Sequence, residues 1–86
     1  MTKKQKILTN QQEIIIKVLN PEKYENLTQL AHKIGGTNSH IVKLIQKLEE
    51  MKLVKTFRHG RERSVNLTFK GVRVKALLLE LEEVLR

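Results

Sequence analysis

Two adjacent glycines, Gly35 and Gly36, split an amphipathic run in two, and no other feature constrains the fold of this 86-residue chain as tightly. Before them, Leu27, Leu30, Ala31 and Ile34 recur at i, i+3, i+4 and i+7, the spacing of one buried helix face. Asn26 with Gln29 has the spacing of a capping box at the start of that helix. Glycine reaches the left-handed conformation that closes a helix end. A new helix then begins at once, with Thr37 as its cap. Its Ile41, Leu44, Ile45, Leu48 and Met51 form a stripe roughly 120° wide, suited to burial on one side only. The sequence therefore predicts two short helices joined by a tight turn.

The flanks complete the plan. Upstream, Asn10 with Glu13 has capping-box spacing. Ile14, Ile15, Val18 and Leu19 then share one helix side at about 100° per residue, and Ile16 falls outside that arc. Asn20-Pro21 ends the helix, because proline disfavours a helical residue before it. A polar connection follows over residues 21–25. Downstream, residues 53–57 and 64–68 alternate in the manner of strands, and a loop holding Gly60 joins them into a hairpin. Phe57 and Phe69 are expected in the core at its base. A last helix spans residues 69–85, with Gly71 near its start. The fold class is mostly α with a small β-hairpin (α+β). Residues 1–8 form a basic arm, 9–68 the main domain and 69–86 an added helix.

Charge narrows the function. Lys and Arg outnumber Asp and Glu 17 to 9, a net charge of +8, which favours a polyanionic partner. No stretch has the length and apolarity of a membrane span, and the first residues lack the pattern of a secretory signal, so a cytoplasmic, nucleoid-associated protein is expected. Asn26-Leu27-Thr28 and Asn66-Leu67-Thr68 match glycosylation acceptors by chance in such a setting. There is no cysteine, which excludes disulfides, thiol catalysis and thiolate metal sites. His32, His40 and His59 are too scattered for a metal set, and Thr37, Ser39 and Ser64 lack partners for nucleophilic catalysis. Gly35-Gly36 is no phosphate loop, since no Gly-Lys-Ser/Thr follows. No enzyme, cofactor or metal is expected.

Two helices separated by a glycine turn and followed by a hairpin is the order of a winged helix-turn-helix. In that arrangement the second helix enters the major groove and the hairpin wing reaches the backbone or minor groove. The outward face of this helix carries Thr37, Asn38, Ser39, His40, Val42, Lys43, Gln46 and Lys47. Asn and Gln can read adenine, Lys can read guanine or hold a phosphate, and Val42 can meet a thymine methyl. The wing supplies Lys55, Arg58, His59, Gly60, Arg61 and Arg63. With Lys52 this makes a cationic cluster against the single Glu62, suited to phosphates or a narrow minor groove. The acids lie mostly elsewhere, at Glu22, Glu25, Glu49, Glu50, Glu80, Glu82 and Glu83. Only Tyr24, Phe57 and Phe69 are aromatic, too few for a base-stacking platform, so duplex DNA is favoured over single strands or RNA.

These residues carry a family resemblance. Residues 30–54, LAHKIGGTNSHIVKLIQKLEEMKLV, resemble the helix-turn-helix of MarR-type winged-helix regulators. Residues 61–71, RERSVNLTFKG, are similar to the wing end and the strand-to-helix step of that family. The resemblance implies a groove-reading helix over residues 38–47, a DNA-contacting wing over 58–63, and an obligate dimer that regulates transcription at a near-palindromic site. MarR-type regulators are longer, with dimer interface and effector pocket in extra terminal helices. The compact form here is more similar to minimal winged-helix proteins of archaea and their viruses.

The last helix carries two apolar stripes. Val74, Leu77, Leu78, Leu81, Val84 and Leu85 form one; Val72, Ala76 and Leu79 form another. A small domain covers one such face, so the first stripe, with Ile16, is expected to form a homodimer interface. The leading expectation is a sequence-specific transcriptional regulator acting on double-stranded DNA as a homodimer, with no membrane partner. The alternatives are an architectural, chromatin-like protein with little sequence preference, and a winged helix used for protein–protein contact.

Overall fold

The computed structural model describes residues 8–86. The basic arm expected over residues 1–8 therefore lies outside the described residues except for Leu8, which is buried in the core. Four helices and three strands follow in the order α1 (Asn10–Val18), β1 (Glu25–Asn26), α2 (Leu27–Ile34), α3 (Asn38–Glu50), β2 (Val54–His59), β3 (Glu62–Leu67) and α4 (Phe69–Val84).

The α1 cap is Thr9 rather than Asn10. The Thr9 hydroxyl accepts from the Gln12 backbone N–H, and the Gln12 side chain accepts in return from the Thr9 N–H. That reciprocal box draws Gln12 inward, and the buried face becomes Gln12, Ile15, Ile16 and Leu19, an uninterrupted i, i+3, i+4, i+7 set. The expected arc is thus rotated. Ile14 and Val18 face outward, and Ile16 is fully enclosed in the core of its own chain. Ile16 is therefore not available to a dimer interface.

The central turn follows expectation. The Asn26 side chain caps α2 through the Thr28 N–H at 2.7 Å. Gly35 closes the helix at φ +76°, and Thr37 caps α3 through the His40 N–H. The α3 stripe of Ile41, Leu44, Ile45 and Leu48 is buried against α1 and α2. At its other end α3 closes in a Schellman arrangement. The Leu53 N–H donates to the Leu48 carbonyl and the Lys52 N–H to the Glu49 carbonyl, with Lys52 itself at φ +64°.

The sheet has one more strand than the sequence suggests. The order is β1-β3-β2, all antiparallel, with Glu25 opposite Val65 on one edge and Thr56 opposite Val65 on the other. The connection over residues 21–25 therefore ends in a strand. The hairpin is also longer than expected, since His59 pairs with Glu62 and only Gly60-Arg61 remain as the turn. Gly60 has φ +61° and Arg61 does not share it, the pattern of a type II′ turn that suits the twist of paired strands.

Neither Phe expected in the core is there. Phe57 is 40% exposed and packs edge-on against Tyr24, and Phe69 is 86% exposed at the start of α4. Val54, Val65 and Leu67 fill the base of the hairpin instead. α4 returns across the molecule to α1. Lys75 donates to the Leu19 carbonyl at 2.6 Å and Lys17 pairs with Glu82. Gly71, Val72, Val74, Lys75 and Leu78 are the buried or half-buried residues of α4, whereas every residue from Leu79 onward is exposed. The body thus covers one face of α4 and leaves the rest bare. Its extents are 47 × 29 × 23 Å.

Candidate nucleic-acid interface

Helical geometry sorts the outward residues of α3 into three rows. The buried stripe fixes the opposite side, and Ser39, Lys43 and Gln46 stand along its crest, all exposed. Asn38 and Val42 lie on the flank toward the hairpin. His40 and Lys47 lie on the flank toward α1, where the His40 ring Nε2 sits 2.6 Å from the Gln11 Oε1. The small side chains at the N-terminal end, Asn38 and Ser39, leave the first turn of α3 open to close approach.

The hairpin completes the surface. Arg58, Arg61 and Arg63, with Glu62, border a groove whose other wall is Asn38 and Val42 of α3. Its end is formed by Asn26, Leu27 and Thr28 at the start of α2. A cationic rim, a polar helix start and one half-buried valine thus meet in one concavity. Among the described residues, none of the three arginines forms a salt bridge within the chain. Lys55 extends from β2 with its ammonium 5.8 Å from the centroid of the Phe57 ring, and His59 and Gly60 are exposed at the hairpin end.

The structure does not bring all the expected residues to one place. Lys43, Gln46 and Lys47 line a second depression, shared with Thr9, Gln12, Leu44, Glu50 and Met51, on the side of α3 away from the hairpin. The helix therefore stands as a ridge between two hollows. Thr28 at the groove and Gln11 beside His40 were not singled out from sequence. Thr28 belongs to the cap of α2, and only the fold carries that cap to the groove. Among the described residues no group of three or more His, Asp or Glu is arranged to hold a metal ion. Among the described residues no helix is long and apolar enough to cross a membrane.

Neither a family model nor a curated protein sequence matches the chain. Solved structures do. ZitR from Lactococcus lactis, a zinc-responsive MarR family member, superposes with a TM-score of 0.79 at 27% identity, covering 96% of this chain and 58% of ZitR. The chain has a MarR-like winged-helix fold. MepR from S. aureus, solved as a DNA complex, gives a TM-score of 0.84 at 18% identity, covering 91% of this chain and 67% of MepR. AF1382 from Archaeoglobus fulgidus gives 0.83 at 20% identity, covering 93% of this chain and 92% of that one. The chain thus spans between half and about two thirds of the ZitR and MepR structures and nearly all of the archaeal one. In the winged-helix arrangement α3 takes the place of the second helix of the helix-turn-helix and the β2–β3 hairpin the place of the wing.

Proposed function

We propose that the protein is a sequence-specific regulator of transcription that binds double-stranded DNA as a homodimer. The observation that carries this reading is the groove between α3 and the wing, where Asn38 and Val42 face Arg58, Arg61 and Arg63. Those residue types divide the labour of DNA recognition. Arginines neutralise phosphates or enter a narrow minor groove, and the helix start meets base edges. A net charge of +8 supports the electrostatic part. The likeness to MepR, solved with DNA, and to ZitR of the MarR family supports the same reading.

The homodimer rests on α4. Leu77, Leu81, Val84 and Leu85 are each more than half exposed on a single helix. A contiguous apolar face of that kind marks an interface. Val74 and Leu78, from the same expected stripe, pack partly on the protomer's own core and support the contact from beneath. A two-fold dimer would present two recognition helices to successive major grooves, roughly 34 Å apart.

Selection of binding sites from a pool of random duplexes tests the proposal. Enrichment of one motif with two inverted half-sites is the expected outcome. Retention of duplexes without any enriched motif would replace the regulator by an architectural protein. Failure to retain duplex at low salt would reject DNA binding altogether.

A further inference from the structure

Two flanks border the crest of α3, and the wing occupies one of them. On the other, Thr9 lines the hollow that also holds Lys43 and Lys47. Thr9 is where the chain enters α1, and its place is fixed from both sides. Leu8 before it is buried in the core, and the capping box ties Thr9 to Gln12. The contact between the Gln11 side chain and the His40 ring joins the start of α1 to the start of α3. The chain therefore enters the described fold beside α3, on the flank away from the hairpin. Residues 1–7, which precede that point, carry Lys3, Lys4 and Lys6 and no acid. A chain spans at most about 3.6 Å per residue, so these lysines are tethered within roughly 18 Å of Leu8. That reach is of the same order as the ~12 Å width of a major groove.

We infer that residues 1–7 make a DNA contact of their own, with Lys3, Lys4 and Lys6 on the phosphate backbone along the α1 flank of α3. This rests on the DNA-binding reading above. With α3 in the major groove, the two backbones that border the groove run along its two flanks. Arg58, Arg61 and Arg63 serve the wing side. Opposite them, the first turn of α1 adds no cation: it bears Asn10, Gln11, Gln12 and Glu13. The lysines before Leu8 supply that charge. The hollow beneath holds Lys43 and Lys47 with the acid Glu50, and the neighbouring Glu49 accepts from the Thr56 hydroxyl of β2. Such a surface repels a lysine-rich segment, and a polyanion lying between the two satisfies both. The duplex is then gripped on both flanks of α3. Phosphate contacts carry no sequence information, so this segment sets affinity and not the site chosen.

The full chain and the triple variant Lys3→Gln, Lys4→Gln, Lys6→Gln test this on a selected and a scrambled duplex across a salt series. The slope of log affinity against log salt should fall by about 2–3, with a loss on the order of a hundredfold at 0.1 M salt. The preference for the selected duplex should stay as it was. An unchanged slope in the variant would overturn the inference and leave DNA binding standing. No binding by the parent chain would overturn both. Leu8 and the Thr9 cap are untouched, so the urea midpoint should not move. Position gives a second readout, because the chain has no cysteine of its own. An iron chelate attached at Lys4→Cys should cut the backbone on the flank opposite the cuts made from Glu62→Cys in the wing. Cuts from Lys4→Cys on the wing flank, or none while Glu62→Cys cuts, would contradict the placement.

Discussion

The carbonyl oxygen of Leu53 lies where a side chain on Gly71 would have to go: a Cβ there would come within 2.0 Å of it. That carbonyl cannot easily retreat, because it accepts from the Thr68 N–H at 3.0 Å. The Thr68 hydroxyl in turn donates to the Lys52 carbonyl and accepts from the Gly71 N–H. The first turn of α4 is thus clamped to the base of the wing. Gly71→Ala should destabilise the fold by about 2–4 kcal/mol, at the upper end of overpacking effects. Urea unfolding followed by circular dichroism measures it.

Lys52 supplies the opposite case. It holds φ +64° at the end of α3, where glycine is the favoured residue. Its side chain is exposed. Lys52→Gly should therefore stabilise the protein by about 0.5–1 kcal/mol, since relief of the left-handed conformation outweighs the added freedom of the unfolded chain. A rise in the urea midpoint with an unchanged slope is the expected result.

The ends of α2, the turn after it and the start of α3 were legible in the sequence because their signals are local. Asn26, Gly35 and Thr37 do what their types do in any chain. The rest depended on partners far away in sequence. Gln12 reads as a surface residue, yet it is buried beside Ile15, Ile16 and Leu19 with its side chain bonded to the Thr9 N–H, and that face of α1 is set by the packing of those three residues on the rest of the core. Two-residue β1 has no pattern of its own and exists because β3 presents an edge to it. Gly71 carries no signal of its own near the start of α4, and the reason for it is a carbonyl in another element. At the site, the outward positions of α3 were readable from periodicity. Their division into a wing side and an α1 side was not, because it depends on where the hairpin and α1 pack.

Within the wing-side groove, the proposed function assigns two kinds of DNA contact. Arg61 sits in the wing turn beside the groove, and Asn38 opposes it at the start of α3. Arg61→Ala should weaken binding to all duplexes alike and reduce the slope of log affinity against log salt by about 1. Asn38→Ala should lose about 1–3 kcal/mol at the preferred site and little on random DNA. Titrations of both variants on a selected and a scrambled duplex, at several salt concentrations, distinguish the two effects.

Cap removal offers a check on α1. Thr9→Ala deletes one half of the capping box and frees Gln12, and should cost about 1 kcal/mol. Thermal unfolding of the variant measures this, and a Tm unchanged from the parent would contradict the assigned cap.

The central claim is that α3 and the wing together hold duplex DNA. The most direct measurement is fluorescence anisotropy of a labelled duplex carrying the selected site, titrated with the parent chain and with the double variant Lys43→Ala, Arg61→Ala. Lys43 stands on the crest of α3 and Arg61 in the turn of the wing, both exposed, so neither substitution should disturb the core. The expected result is site-specific binding by the parent and a loss on the order of a hundredfold in the folded double variant. Equal binding by the two proteins would contradict the claim.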